Sequence, residues 1–474
     1  MIPDRFAPVL AELAPLAARF GKAGHRLYLV GGTVRDLMVG SQRSDYDLDL
    51  TTDARPPEIK ACLAGWAHAI WTQGERFGTI GAKFGERTYE ITTFRAESYT
   101  DDSRKPHVTY ADDVETDLGR RDFTVNAMAL ELTSGDTPVL VDPHGGAVDL
   151  INKVLRTPLG PDVSFSDDPL RMLRAARFIA GYQLRPTDQL VAAVKDMATR
   201  LEIVSAERIR DEFDKLITVD HPATGLWFLY DTGLSDQFLP ELAAMRLEHD
   251  PIHRHKDVLS HTIAVVENVR PAIEQPEGHP SFDYRVVRLA ALFHDVGKPR
   301  TRDHQEGKGT TFHHHDAVGA RMTKKRMTAL RYSNDDVAKV TALVALHLRF
   351  HTYRLGWSDS AVRRYVRDAD DLLHELNVLT RCDCTTRNER KARHLSKRMD
   401  DLEERIEALA EAEELAAIRP ELDGQAVMDH LGLAPGREIG EALNFLLEIR
   451  LEQGLIGEAE SKDRLDAWWA QRGS

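Results

Sequence analysis

Apolar and polar residues change rhythm along this chain. From Leu27 to Phe94 they alternate in short runs, and from Pro186 onward they recur mostly at helical spacing. Met1 to Phe20 has the pattern of an amphipathic helix and carries Asp4, Arg5, Glu12 and Arg19. Leu27–Val30 is a continuous apolar run, which predicts a buried strand. It is closed by Gly31-Gly32 and a segment able to start a helix. In Asp45-Tyr46-Asp47-Leu48-Asp49-Leu50 the acids alternate with apolar residues, which predicts a strand with Asp47 and Asp49 on one face. Thr51–Glu58 reads as a turn into a helix, capped by Thr52 or Asp53, with Pro56 and Pro57 in its first turn. Phe77–Phe84 and Thr88–Phe94 predict two strands joined at Gly85-Glu86. Ala96–Thr116 is polar, contains Pro106 and predicts a mobile loop. Ser166–Phe178 predicts a helix with Asp168 at its N-cap and Pro169 in its first position. Pro186–Leu239 is helical throughout, with Ser205 as one cap, and Pro240–Pro251 reads as a linker. Leu289–Phe293 predicts a buried helix ending at His294-Asp295. A charged helix opens the segment from Asp400. Short strands followed by a long run of helices argue an α+β chain.

At 474 residues the chain exceeds one core, and about two to four domains are expected. No apolar window is long enough to span a membrane. Cys62, Cys382 and Cys384 are too few and too irregular for a disulfide framework, which fits a reducing cytoplasm. The net charge of −14 excludes a general nucleic-acid coat but not an enzyme with a locally basic surface. The basic runs Arg321–Arg331 and Arg387–Arg398 read either as such a surface or as solvated helix faces.

Candidate chemistry starts at the glycine pair. Gly31-Gly32 lets backbone N–H groups approach a phosphate. Asp47 and Asp49 repel each other unless a cation sits between them, and Mg²⁺ takes carboxylates together with phosphate oxygens. If the strand Thr88–Phe94 lies beside this pair, Glu90 is a third candidate carboxylate. Otherwise it is an exposed strand glutamate. Arg120-Arg121 suits a triphosphate. Asp168 and Arg171 are three residues apart and can share a helix face. A carboxylate and a guanidinium there would match the amine and ring acceptor of cytosine or adenine, and mispair with uracil or guanine. Later, His261, His294, Asp295, His315, His347 and Asp383 lie in helices or at helix ends. Imidazole and carboxylate together suit transition metals as well as Mg²⁺.

Four motifs follow one another: Gly31-Gly32-x-Val-Arg35-Asp36, Asp47-x-Asp49, Arg120-Arg121-Asp122-Phe-Thr-x-Asn126-Ala, and Asp142-Pro-x-Gly-Gly-x-x-Asp149-Leu. They resemble the head of class II tRNA nucleotidyltransferases and bacterial poly(A) polymerases. The resemblance implies Mg²⁺ on Asp47 and Asp49, and ribose and triphosphate on Arg121, Asp122 and Asn126. Asp45 falls outside the motif. Ser166-Asp167-Asp168-x-x-Arg171, continuing to Arg174 and Arg177, resembles the family's base-templating Glu-Asp-x-x-Arg motif, with Asp167 in place of Glu. The histidine set resembles an HD-type phosphohydrolase domain. There His261, His294, Asp295 and Asp383 would ligate a divalent metal, and His315 and His347 a second metal or phosphate.

The resemblance is closest to bacterial CCA-adding enzymes with an HD domain. It implies a head with a small mixed sheet over residues 1–157, a helical neck over 158–245, an HD domain over 246–400 and a helical body and tail over 401–474. The implied reaction is template-independent addition of CCA from CTP and ATP to the tRNA 3′ end. Two Mg²⁺ ions would serve it, one at the 3′-hydroxyl and one at the leaving pyrophosphate. The Pro435-Gly436 turn before Arg437 could present helix N–H groups to an RNA phosphate, or simply join two helices. Poly(A), CC-only or A-only addition shares every head motif. An HD phosphohydrolase with an RNA-binding head, or a non-catalytic RNA-binding protein, is a reading of another class.

Overall fold

The computed structural model describes residues 3–40, 48–98, 107–133, 138–247, 257–271, 281–305, 309–352, 357–385, 388–413 and 418–472. Asp45 and Asp47 lie outside them. The chain divides into two compact units, Met1–Pro240 and Glu241–Ser474.

The first unit is built on seven strands: β1 (Leu27–Val30), β2 (Leu48–Thr52), β3 (Ala69–Trp71), β4 (Thr79–Phe84), β5 (Arg87–Thr93), and, beyond a separate β6 (Arg95–Ser98) and β7 (His107–Tyr110) hairpin, β8 (Ala129–Glu131) and β9 (Val139–Val141). Their order is β3-β4-β5-β2-β1-β8-β9. Only β2–β5 is parallel. Its register pairs Asp49 with Glu90. The apolar run of β1 is buried throughout, as expected of a central strand covered on both faces. Tyr28 and Val30 pack with Phe94, Val114, Leu118 and Ala129.

Around the sheet lie α1 (Ala7–Lys22), α2 (Gly32–Val39), α3 (Pro56–Leu63), α4 (Val114–Gly119) and α5 (Gly146–Asn152). They lead to α6 (Pro161–Asp167), α7 (Leu170–Tyr182), α8 (Asp188–Met197), α9 (Ala206–Ile217) and α10 (Ala223–Asp231). A two-residue parallel pair, β10 (Val154–Leu155) with β11 (Arg185–Pro186), interrupts this helical part.

Four local expectations are corrected. The polar stretch after Ala96 is not a loop throughout, because β6 and β7 pair antiparallel, Ala96 with Thr109. The cap of α3 is Arg55, whose N–H donates to Glu58 at 2.7 Å, while Asp53 is drawn off to Arg26 at 3.0 Å. Helix α7 is assigned from Leu170, not Pro169. Asp168 nonetheless keeps extended backbone and accepts the Leu170 N–H at 3.2 Å, so its capping role survives a shifted boundary. The expected linker begins with a short helix, α11 (Pro240–Ala244), that buries Leu242.

The second unit is helical: α12 (Val258–Asn268), α13 (Tyr284–Phe293), α14 (Lys298–Thr301), α15 (His315–Ala329), α16 (Asn334–Leu346), α17 (Arg349–Thr352), α18 (Asp359–Ala369), α19 (Leu373–Cys382), α20 (Glu389–Glu413), α21 (Gly424–Leu431), α22 (Arg437–Gln453) and α23 (Glu458–Ala470). The charged helix starts at Glu389, so a division at residue 400 falls inside it. The last three helices close a small core of Leu422, Val427, Ile439, Leu446 and Leu465. In the basic runs, Arg326 pairs with Glu241 at 2.8 Å and Arg393 with Glu389 at 3.3 Å, as on ordinary helix surfaces.

Candidate active site and metal centre

An open cleft over the sheet is lined by Val30, Asp49, Leu50, Thr79, Glu90, Thr92, Arg95, Arg120 and Arg121. Period-two alternation turns Asp49 and Glu90 outward, between the buried residues Leu48, Leu50, Tyr89 and Ile91. Gly31 sits at φ +73°, a conformation glycine adopts without strain. A Cβ there would stand 3.1 Å from Arg121 Nη1 and 3.9 Å from Asp49 Oδ2. The backbone of Gly31 thus lies between the cationic and anionic sides of the cleft. At Gly32 a Cβ would make ordinary contact only, with Arg35 at 3.5 Å.

Arg120 and Arg121 share a fully buried carboxylate, Asp117, at 2.8 and 3.3 Å. Burial alone would raise that carboxyl's pKa, but the two guanidinium groups outweigh burial and hold it below the usual range. Asp117 also accepts the Arg95 N–H at 3.1 Å, tying a third cleft arginine to the same anchor.

Asp122, Asn126, Arg35 and Arg174 form a buried relay. Asp122 accepts from Asn126 Nδ2 at 2.9 Å and from Arg174 at 2.6 and 2.9 Å. Asn126 Oδ1 accepts from Arg35. Arg35 pairs with Asp36 at 2.8 Å and lies 4.3 Å over the Tyr182 ring, whose hydroxyl donates to Asp36 at 3.0 Å. At its other end Glu212, 3% exposed, pairs with Arg174 at 3.7 Å and with Arg177. Burial would raise the Asp122 carboxyl, but Arg174 and Asn126 hold it well below the carboxylate range.

The Arg171 N–H donates to the Asp168 carbonyl at 3.0 Å, while their side chains take other partners. Asp168 pairs with Arg208 at 2.9 Å. Arg171, 9% exposed, donates to Ser164 Oγ at 2.9 Å and to the Arg120 carbonyl at 2.6 Å. Asp142 and Asp149 shape the chain instead. Asp142 accepts the Gly146 and Ala147 N–H groups at 2.7 and 3.0 Å, and Asp149 accepts from Thr124 Oγ1 at 2.6 Å.

In the second unit all six metal-type residues come together. His261, His294 and Asp383 form one group, and Asp295, His315 and His347 a second. Asp295 joins them. Its Oδ2 lies 3.2 Å from His294 Nε2 and 3.6 Å from His261 Nε2, and its Oδ1 lies 3.4 Å from His315 Nε2 and 3.9 Å from His347 Nε2. The Nδ1 atoms of His294, His315 and His347 donate to the carbonyls of Ala291, Phe312 and Val344 at 2.7, 2.8 and 2.6 Å. His261 Nδ1 bonds Thr385 Oγ1 at 2.8 Å. These outer bonds leave the Nε2 atoms directed inward, as metal-ligating histidines require. Burial would lower His294, but Asp295 and Asp383 push it up to about 10, whereas burial and the neighbouring His294 push His347 down to about 4. The two directions differ because His294 faces two carboxylates, whereas His347 is buried beside other imidazoles.

Three family models match successive segments: the poly(A) polymerase head domain over residues 27–156, the probable RNA- and SrmB-binding site of polymerase A over 184–246, and the HD domain over 258–416. The A-adding tRNA nucleotidyltransferase of Deinococcus radiodurans is 34% identical over 94% of this chain and 95% of its own length. The chain belongs to the class II tRNA nucleotidyltransferase and poly(A) polymerase family. The CCA-adding enzyme of Lactobacillus helveticus is 38% identical over 51% of this chain and 58% of its own length. The chain therefore matches a little over half of that relative. Two solved structures share the fold of the nucleotidyltransferase. The Bacillus stearothermophilus CCA-adding enzyme in complex with CTP has a TM-score of 0.70 at 21% identity, covering 99% of both chains. The Thermotoga maritima CCA-adding enzyme complexed with tRNA has 0.62 at 20%, covering 98% of this chain and 97% of that one. A nucleotidyltransferase head and an HD domain both imply divalent metal. Among the described residues no helix is long and apolar enough to cross a membrane.

The sequence motifs carried no sign of Asp117, Glu212, Arg208 or Tyr182. Glu212, Arg208 and Tyr182 reach motif residues from 35 to 146 positions away, whereas Asp117 lies three and four residues before Arg120 and Arg121, a helical spacing that could have pointed to it.

Proposed function

We propose that this nucleotidyltransferase adds C, C and A in turn to the 3′ end of tRNA from CTP and ATP, without a nucleic-acid template. The in-register pairing of Asp49 with Glu90, beside the close approach of Gly31 to Arg121, carries the reading. Asp49 and Glu90, with Asp47 two residues earlier in the sequence, fit Mg²⁺. Asp49 and Glu90 are carboxylates on adjacent strands facing one cleft with three arginines. When bound, the ions supply positive charge to the attacking 3′-hydroxyl and the leaving pyrophosphate. Gly31, Gly32, Arg35 and Arg121 receive the triphosphate, and the Asp122–Asn126 relay fixes the Arg35 guanidinium. Asp168 accepts from the exocyclic amine of C or A. Arg171 donates to the ring nitrogen after releasing the Arg120 carbonyl, and Arg174 and Arg177 hold the helix that presents them.

The full-length likeness to an A-adding enzyme favours a second reading, addition of the terminal A alone. Each labelled NTP offered to tRNA lacking CCA, and to tRNA lacking only A, separates the two. Incorporation of two C residues and one A supports CCA addition. A alone, taken only by the longer substrate, overturns it, and a long A tail points to a poly(A) polymerase. On the same assay Arg171→Ala is expected to narrow the preference for CTP over UTP by about 5- to 150-fold, the worth of one desolvated polar contact.

For the second unit we propose a divalent-metal phosphohydrolase centre on His261, His294, Asp295 and Asp383, with His315 and His347 completing a second position. The inward Nε2 set and the shared Asp295 support it.

A further inference from the structure

The carboxylate row of the sheet extends past Glu90. Asp49 pairs with Glu90, Glu90 with Gly81 and Gly81 with Trp71, across β2, β5, β4 and β3. Directly paired residues share a face of a sheet. Trp71 therefore stands on the same face as the two carboxylates, two strands beyond Glu90, roughly 10 Å away by strand spacing. The position between them has no side chain. A Cβ on Gly81 would lie 1.9 Å from Trp71 Nε1 and 2.0 Å from Cε2, so the indole is laid flat across Gly81 toward Glu90. One step along the same strands Lys83 pairs with Thr88, again on this face. The Lys83 side chain is exposed and lies 3.8 Å from Glu86.

The placement of the phosphate-binding groups says what this platform faces. Gly31 follows β1, on the other side of Asp49, with Arg121 beside it. In phosphoryl and nucleotidyl transfer the attacking and leaving oxygens lie roughly in line across the reacting phosphorus. With pyrophosphate leaving toward Gly31 and Arg121, the attacking 3′-hydroxyl must arrive from the β5–β4–β3 side. That side carries an aromatic face and, beside it, a cation. Bases of single strands stack on aromatic side chains whatever their identity, and a nearby lysine suits the backbone phosphate.

We propose that Trp71 is a stacking platform for the 3′-terminal base of the RNA primer, with Lys83 on the adjoining phosphate. The proposal rests on the nucleotidyl-transfer reading above. A stacking site indifferent to base identity suits a primer whose last residue changes from the discriminator to C, and from C to C, as addition proceeds.

The test uses the full chain and a hairpin RNA with a single-stranded 3′ end, assayed for addition of the first nucleotide. Trp71→Ala should raise the primer KM by about 5- to 150-fold, the worth of one base stack, and leave the CTP KM within about twofold. Trp71→Phe should recover most of the loss. Gly81→Ala, whose Cβ would meet the Trp71 ring first and lift the indole, should raise the primer KM as Trp71→Ala does. The deciding arm is a primer whose 3′-terminal nucleotide is abasic. Wild type should lose on it what Trp71→Ala loses on the intact primer, and Trp71→Ala should lose nothing more. An unchanged primer KM in Trp71→Ala, or an equal penalty on both primers, overturns the platform and makes Trp71 a structural residue. If wild type itself adds nothing to the intact primer, it is the nucleotidyl-transfer reading that fails.

Discussion

Asp49 and Glu90 are outward-facing strand residues whose neighbours in sequence make the core, so their chemistry can be removed without removing packing. Asp49→Asn is expected to lower kcat by about 10³-fold or more, since a carboxylate that holds a catalytic metal commands several kcal/mol. Glu90→Gln should cost about 10- to 100-fold, a smaller loss for the third carboxylate, within the reach of a single tenfold step per 1.4 kcal/mol. Both variants should melt within a few degrees of wild type by circular dichroism, and a large fall in melting temperature would show that the residues are structural. Asp122 is the opposite case. It is buried, tied to Arg174 and Asn126, and its folded pKa is depressed. A depressed carboxyl contributes stability that is complete above its unfolded pKa, near 3.9, and is lost as pH falls toward the folded value. Asp122→Asn should thus be less stable than wild type by about 3 kcal/mol, at the low end for a broken buried pair because Arg174 is 32% exposed. The gap should hold from about pH 8 to 5 and narrow below about pH 4. Urea titrations of both chains across that range check it, and a gap that widens on acidification would reverse the sign.

At the scale of elements, what was legible in the sequence follows period and punctuation. The apolar run Leu27–Val30, the Gly85-Glu86 turn, Pro56-Pro57 and the Ser205 cap all became the predicted elements, because each is decided by residues next to one another. Two misjudged features were decided by distant residues. Asp53 is claimed by Arg26 rather than by its own helix. The weak alternation of Arg95–Ser98 becomes a strand only because His107–Tyr110 lies beside it. The side-chain partners that Asp168 and Arg171 take, Arg208 and the Arg120 carbonyl, 40 and 51 residues away, are likewise set by distant residues. The parallel register of Asp49 and Glu90 was open for the same reason, as no turn connects β2 to β5. In the second unit a close approach of elements positions donors. A Cβ at Gly297 would lie 2.1 Å from the His315 carbonyl and 2.7 Å from Gly319 N. Gly297→Ala should force the start of α15 away from Asp295, cost about 1–3 kcal/mol as overpacking does, and lower the zinc or manganese retained per chain after dialysis. Gly440→Ala, where a Cβ meets nothing within 4 Å, is the control and should change neither. Unaltered metal content in Gly297→Ala would show that the Asp295, His315 and His347 donors do not depend on this contact.

At the scale of the whole molecule, two carboxylate-based sites lie in two units that each close their own core. Among the described residues no donor is shared between them. The cleft draws on β2, β5 and the arginines after α4, and the histidine cluster on helix ends from α12 to α19. Mutations at sites without common partners act additively. Asp49→Asn should therefore cut nucleotide addition by about 10³-fold or more and leave the retained zinc or manganese and metal-dependent hydrolysis of an aryl phosphate unchanged. His294→Ala should do the reverse. It removes a donor that is 1% exposed and stands between Asp295 and Asp383, leaving those two carboxylates to repel each other. The double variant should show both losses and no third. Removal of metal by chelator, followed by graded return of Mg²⁺, then separates the sites without mutation. A site of exposed carboxylates binds Mg²⁺ loosely and recovers with it, whereas a buried site rich in imidazole calls for a transition metal. Nucleotide addition should return with Mg²⁺ alone while hydrolysis stays silent until zinc, manganese or a similar ion is supplied. If hydrolysis returns with Mg²⁺ at the same concentration, the imidazole cluster does not select its metal. If nucleotide addition is lost in His294→Ala while the melting profile is kept, the two sites are coupled and the additive reading is wrong.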